Sequence, residues 1–550
     1  MELELPLQRF YHWEKTIPNE IFFRQPLNGQ WMEYSFQKAG DEIRRIAAGL
    51  KALNLPPNSK IALLSKNCAH WIMADVAIWM SGHIAVPLYP TITSNTIRQI
   101  LEHSETAAIF VGKLDTYDEQ RKGIPPGVQK ISFPFYGINE GFLWNDWLAQ
   151  HQPIQENVSR NGNDLMTIAY TSGTTGMPKG AMISFNNFAF AVTVALDNLE
   201  GSVAKLNRPR LFSYLPLSHV AERMVVQLTA IYRGGVISFA ETLDSFGKNL
   251  ADSKPHLFFG VPRIWAKFQE KILEKMPQKK LDTLLKIPIL NSIVKKKIQK
   301  ALGLDEAKVC ISAAAPIPVE LLQWFKKLGI IIHEVYGMTE NCAISHANLE
   351  KIKIGTVGHP HRGIEVRISE EGEVQTRHGA NMIGYYKEPA MTAEMFTADG
   401  FLKTGDQGVA DAEGYLTITG RIKDLFKTDK GKYVAPSPIE MKLLTNPDIE
   451  QVCVVGMGIP QPIALTVLSE VGKRKTKEEI VASLSQGLNE INPTLEHHER
   501  LMKAVIMKDV WSIENGLMTP TLKVKRNEVE KIHLPKYPMW YQKEGVVVWE

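Results

Sequence analysis

The sequence predicts an α/β protein with a large N-terminal domain of several subdomains, residues 1–420, followed by a smaller domain, residues 421–550. Three observations carry that expectation. Apolar runs at residues 60–64, 83–88 and 107–111 alternate with helical periodicity at 36–53 and 94–102, which is the pattern of βα units. From 353 to 419 the pattern shifts to short alternating runs about glycine turns. Runs 364–369 and 373–376 flank Glu371-Gly372, and runs 407–410 and 415–419 flank Glu413-Gly414, which predicts a small antiparallel β module. After Gly420 the charge density rises, and Thr476 and Glu479 have the spacing of a capping box opening a helix to about Asn492.

Size agrees with this division. A chain of 550 residues with 44% apolar composition exceeds what one hydrophobic core organises, so at least two domains are expected. No internal repeat is visible. Residues 452–469 are uncharged for long enough to imitate a membrane span, but Gly456, Gly458, Pro460 and Pro462 cut them into strand, turn and strand. The opening MELELPLQRF carries acids where a secretory leader carries bases, so secretion is not expected. Cys68, Cys310, Cys342 and Cys453 lack metal spacing and are too few to staple the chain, which reads as reduced thiols in a cytoplasmic protein. A net charge of +4, with no stripe of basic and aromatic residues, gives no case for nucleic acid.

The densest signal is "YTSGTTGMPKGAM" at residues 170–182, which follows the apolar run 165–169. It is not a Walker loop, because Lys179 follows Pro178 and precedes Gly180, and a strand rather than a helix is expected next, with Ser184 capping a later helix. No GxGxxG follows a first strand either. What remains is a loop between two strands whose amides and hydroxyls hold phosphate oxygens while Lys179 adds a point charge, or an ordinary Ser/Thr/Gly turn.

Four further stretches separate these readings: "YLPLSHVAER" (214–223), "EVYGMTE" (334–340), "FLKTGD" (401–406) and "TGRIKDLFKTDKGKYVAPSPIE" (419–440). With "ENGLMTPTLKVKR" (514–526), they stand in the order and approximate spacing of the adenylate-forming enzymes. The sequence resembles an AMP-forming long-chain fatty acyl-CoA synthetase over nearly its whole length. That resemblance implies two βα-layered sheets beside the antiparallel module, a mobile α+β C-terminal domain, and ATP, Mg²⁺, CoA and a long-chain fatty acid as cofactor and substrates. Alternatives are a ligase passing acyl-AMP to a carrier-protein thiol and a non-catalytic lipid-binding or scaffold protein.

The same resemblance implies roles. Thr171, Ser172, Gly173, Thr174, Thr175, Gly176 and Lys179 hold the β and γ phosphates, and Tyr336, Gly337, Ala314 and Ala315 line the adenine. Thr339 meets the α-phosphate, and Glu340 with Thr171 holds Mg²⁺. Asp406 and Arg421 take the ribose hydroxyls, Lys423 is the hinge, and Lys432 sits in a loop that approaches CoA. Asp429-Lys430 replace the usual Ser-Gly of that loop, and Ala313 stands where a glycine is often found. His219 lies between nucleotide and acyl chain, or is merely a satisfied helix N-terminal residue. Lys523 is the lysine brought in for adenylation. Residues 263–300 carry eleven Lys/Arg against three acids, which suits either peripheral membrane association or a solvated helical excursion.

Overall fold

Strands Lys60–Leu64, Ile84–Leu88 and Thr106–Val111 lie side by side and parallel, and their alternate residues enter two different cores. Ile61, Leu63, Ala85, Ala108 and Phe110 face one core, while Ala62, Leu64, Val86, Ile109 and Val111 face the other. Side chains alternate along a strand, so runs that are apolar at every position must be covered on both faces. The protein is described here from a computed structural model covering residues 3–171, 177–199, 206–349, 351–513, 515–519 and 523–550.

These strands are the middle of an eight-stranded sheet. One edge continues through Leu165–Thr171, Lys179–Ser184 and Gly384–Tyr385, the last two antiparallel to their neighbours. A nine-stranded sheet holds the parallel strands Arg210–Ser213, Val236–Phe239, Leu257–Phe259, Val309–Ser312 and Ile332–Tyr336. Helix Ala69–Met80 touches strands of both sheets, and all of its residues are buried. It is apolar around its circumference, and such a helix is stable only when enclosed.

Its one charge, Asp75, is answered from another element: Arg223 Nη2 lies 2.6 Å and Gln227 Nε2 2.7 Å from Asp75 Oδ2. Burial pushes the Asp75 carboxyl up, and the Arg223 guanidinium opposes that shift. Arg223 opens a π-helical turn, Arg223–Leu228, directly after the short helix Val220–Glu222. Such turns are uncommon and tend to occur near functional sites.

The expected antiparallel module is present as four strands, Glu365–Ile368, Glu373–Arg377, Leu402–Ala410 and Leu416–Arg421. Beyond it, strands Ile449–Val455, Ile463–Leu468, Lys503–Ile506 and Val547–Trp549 form a further sheet with a hydrophobic cluster on each face. The first two bracket the glycines and prolines of residues 456–462, giving strand, turn and strand. Helix Lys477–Ile491 covers one face of this sheet, and its capping box closes as predicted: Thr476 N donates to Glu479 Oε2 at 2.8 Å and Glu479 N to Thr476 Oγ1 at 3.2 Å. All four cysteines are buried and unpaired. Among the described residues no helix is long and apolar enough to cross a membrane.

Candidate nucleotide and acyl site

Strand Leu165–Thr171 turns back as Lys179–Ser184, with Thr171 opposite Lys179 in the antiparallel register. The two residues therefore stand at the mouth of the hydroxyl-rich loop, and Ser184 caps the next helix through a hydrogen bond from Asn187 N at 3.1 Å. Ser172, Gly173, Thr174, Thr175 and Gly176 lie outside the described residues.

Alongside this mouth runs Gly384–Tyr385, paired to Lys179–Ser184. The Tyr385 hydroxyl donates to Glu340 Oε1 at 2.7 Å, and the Lys179 ammonium is 5.7 Å from the Tyr385 ring. Glu340 belongs to the short turn Thr339–Asn341, which follows strand Ile332–Tyr336 through Gly337. A Cβ on Gly337 would meet the Ala343 carbonyl carbon at 2.3 Å, so only glycine admits this tight turn. Glu340 is buried and Thr339 half-buried. Among the described residues no group of three or more His, Cys, Asp or Glu assembles a metal cage. One buried carboxylate fits Mg²⁺ where substrate phosphates and water supply the remaining ligands, and the second oxygen of Glu340 takes no hydrogen bond among the described residues.

Tyr336 reaches across to the antiparallel module, where its hydroxyl donates to Asp406 Oδ2 at 2.8 Å. Burial, reinforced by that carboxylate, holds the Tyr336 phenol well above its usual pKa. Arg421 is directly opposite Asp406 in the register and donates from Nε to Oδ1 at 3.0 Å. The Asp406 side chain is 9% exposed and that of Arg421 57%, so the guanidinium faces the open side of the pair.

Lys523 arrives from the C-terminal sheet. Thr519 N donates to Lys523 O at 2.8 Å, Lys523 N to Thr519 Oγ1 at 3.0 Å and Lys525 N to Leu517 O at 2.8 Å, which holds residues 523–525 against 517–519. Arg526 anchors residues 523–525 by donating to Glu440 Oε1 and the Val454 carbonyl, both at 2.5 Å. Loss of water pulls the Lys523 ammonium down to about 8, with the Arg421 guanidinium adding to the shift and Asp406 opposing it. Burial, and Lys523 itself, lower His219 to about 4. His219, Lys523, Arg421 and Asp406 thus share one electrostatic environment although 304 positions of sequence separate His219 from Lys523. His219 is also an N-cap, accepting from Ala221 N at its Nδ1 at 3.1 Å, which is the helix N-terminal reading of this residue.

Other expected residues lie at or outside the rim. Strand Val309–Ser312 is parallel to Ile332–Tyr336, and Ala314 and Ala315 follow just beyond the end of this strand, which neighbours the one that carries Tyr336. Ala313, where a glycine is often found, has no positive φ, whereas Ala314 has φ +72°. An L-residue in that left-handed region is strained. Lys423 is exposed in the turn Ile422–Asp424, and Lys432 is exposed between the short strands Phe426–Lys427 and Tyr433–Val434. Neither makes a hydrogen bond through its ammonium to the cluster in this arrangement.

Two participants were not anticipated. Tyr385 had no motif around it; only strand pairing places it on Glu340. Glu222, in "SHVAER", is fully buried, accepts from Ser213 Oγ at 2.9 Å and Tyr214 N at 3.0 Å, and is pushed up by burial to about 8.

Comparison with known proteins gives the family and the fold. A long-chain-fatty-acid–CoA ligase of Mycobacterium bovis is 28% identical over 583 residues, spanning 97% of this chain and 96% of that one. A long-chain-fatty-acid–CoA ligase of Xenopus laevis is 28% identical over 597 residues, spanning 94% and 81%. The solved A domain of a carboxylic acid reductase from Segniliparus rugosus, in complex with AMP and a co-purified carboxylic acid, has the same fold, with a TM-score of 0.78 at 20% identity over 98% of this chain and 94% of that one. Residues 423–537 match the AMP-binding enzyme C-terminal domain. Residues 10–386 match the AMP-binding enzyme family, and with well over half of the sequence in that match the chain belongs to this family.

Proposed function

We propose that the protein activates a long-chain fatty acid with ATP and transfers the acyl group to CoA, releasing AMP and pyrophosphate. The observation that carries this reading is the hydrogen-bonded set Tyr336, Asp406 and Arg421, within electrostatic reach of Lys523 from the C-terminal part. The names of the full-length relatives supply the substrate class.

In the first step a carboxylate oxygen bonds to the α-phosphorus while the bond from that phosphorus to the bridging oxygen breaks, and pyrophosphate departs. Asp406 accepts from the ribose hydroxyls, held in place by Tyr336 and Arg421. Lys523, with a pKa of about 8, is mostly an ammonium at pH 7 and neutralises charge on the oxygens around the phosphorus. His219 is neutral at that pH, and because Nδ1 accepts from Ala221 its proton is on Nε2, available to a carboxylate oxygen. Glu340 and Thr171 would hold Mg²⁺, which supplies charge neutralisation on the phosphates. Residues 172–176 hold the departing pyrophosphate through amides and hydroxyls.

In the second step the C-terminal domain turns about Lys423, withdrawing Lys523 and bringing the Lys432 loop toward CoA. The thiol releases its proton to water as its sulfur bonds to the carbonyl carbon, and the bond from that carbon to the AMP oxygen breaks. The test uses purified protein, fatty acid and ATP with either CoA or an acyl-carrier protein, read by AMP release and thioester mass. Acyl-CoA is expected. A thioester on the carrier alone would replace the acceptor, and no AMP with either would overturn the reading.

A further inference from the structure

Between the neighbouring parallel strands Leu257–Phe259 and Val309–Ser312 the chain makes three helices, Pro262–Lys275, Gln278–Lys286 and Pro288–Ala301. One crossover helix would complete such a connection. The last two helices pack on each other as a hairpin joined by Ile287 alone. Their inner face is fixed in place: Leu281, Val294 and Ile298 enter a core with Trp265, Phe325 and Leu328. Trp324 Nε1 donates to Gln278 Oε1 at 2.9 Å, and Gln299 Nε2 to the Leu328 carbonyl at 2.9 Å.

The outer end is unlike an ordinary solvated hairpin. Ile287 is 44% exposed, Ile289 75%, Leu290 36% and Ile293 57%, so four large aliphatic side chains face outward within one turn and the start of a helix. Residues 278–301 also carry seven lysines and one acid, Asp282, which accepts from Gln278 Nε2 at 2.9 Å. Lys286 is beside the apolar tip, and Lys296 and Lys297 lie about 12 Å behind it along the third helix at about 1.5 Å per residue. All three are exposed and form no ion pair among the described residues.

We propose that this hairpin tip is a docking element for an anionic lipid bilayer, with the isoleucines entering the headgroup–acyl boundary and the lysine collar meeting lipid phosphates. An aliphatic tip backed by cations matches the depth profile of such a surface, where apolar groups gain below the headgroups and lysine stems extend back toward them. A second copy of the chain is a poorer occupant, because a two-fold contact sets the same unpaired lysines against one another. The proposal stands apart from the catalytic reading, since none of these residues contributes to the nucleotide cluster.

The test is co-sedimentation of the full chain with phosphatidylcholine vesicles with and without phosphatidylglycerol, at low and high salt. Binding is expected only to the anionic vesicles and is expected to weaken with salt, since exposed charges are screened beyond a Debye length. Ile289→Asp with Ile293→Asp, and separately Lys286→Glu with Lys296→Glu and Lys297→Glu, should each weaken binding by roughly tenfold or more. ATP–pyrophosphate exchange with a short, soluble carboxylic acid, together with the thermal transition, should be unchanged and so reports intact folding. Wild-type protein that ignores anionic vesicles at low salt, or variants that bind equally well, would overturn the proposal. So would variants that convert a dimer to a monomer with vesicle binding unaffected. Vesicle binding without exchange for any acid would leave the docking surface standing and remove the catalytic reading instead.

Discussion

Arg421 Nε is 3.0 Å from Asp406 Oδ1, and the two residues face each other on adjacent antiparallel strands while the Tyr336 hydroxyl engages the other carboxylate oxygen at 2.8 Å. The carboxylate is therefore oriented by protein alone. Hydrogen bonds to a charged group contribute about 1.5–3 kcal/mol, so Asp406→Asn should weaken ATP binding by roughly ten- to a hundredfold. Tyr336→Phe, which only loosens the acceptor, should weaken it less. Calorimetric titration with a non-hydrolysable ATP analogue checks both, and unchanged affinity in Asp406→Asn would remove the ribose role.

Glu340 is the only proposed Mg²⁺ carboxylate, and Tyr385 fixes one of its oxygens at 2.7 Å. Partners that orient a metal ligand typically change affinity by about ten- to a hundredfold when removed, so Tyr385→Phe should raise the Mg²⁺ requirement by about tenfold. Glu340→Gln should raise it further, because the amide keeps the shape and loses the charge. Rates across a Mg²⁺ series measure both effects, and wild-type curves for both variants would contradict the assignment.

Lys523 gives the site a pH dependence with a definite sign. Its folded pKa of about 8 is below the lysine norm, so the ammonium is lost as pH rises through about 8. Acyl-AMP formation should accordingly fall on the alkaline side of pH 8. Conversion of supplied acyl-AMP and CoA to acyl-CoA should lack that limb, because the lysine has been withdrawn. Lys523→Ala should abolish most of the first half-reaction and spare the second. Equal losses in both, from folded protein, would contradict the two-arrangement mechanism.

Glu222 carries a stability signature. Its carboxyl is raised to about 8 by burial, against an ordinary value of 4.5, so between those limits the unfolded chain binds fewer protons than the folded one. Its contribution to stability is present at low pH and is lost as pH rises toward 8. Glu222→Gln has the same shape and no charge, and should raise stability at pH 8 by on the order of 2 kcal/mol while changing little near pH 4.5. Thermal melts at the two pH values decide it; a variant destabilised equally at both would show that the carboxyl itself is needed for packing.

Much of the architecture was legible in the chain. Continuous apolar runs such as residues 60–64 required two-sided burial, alternating runs about Glu371-Gly372 and Glu413-Gly414 required antiparallel pairing, and Thr476 with Glu479 announced a helix start. These are local consequences of side-chain period and backbone capping, so neighbouring residues suffice to read them. The motifs likewise pointed to Tyr336, Asp406, Arg421 and Lys523 by resemblance. What only the tertiary structure decided is which of these meet. Tyr385 joins Glu340 because Gly384–Tyr385 adds to the edge of a sheet begun far earlier in the chain, and the charge on Asp75 is met by Arg223 from a turn in another part of the fold. The same folding gave Ala314 a left-handed backbone and turned a basic, apolar stretch into a hairpin with Ile289 and Ile293 outward. Sheet order, packing and burial set these outcomes, and none of them has a period or spacing in sequence, because each depends on which distant surfaces come into contact when water is excluded.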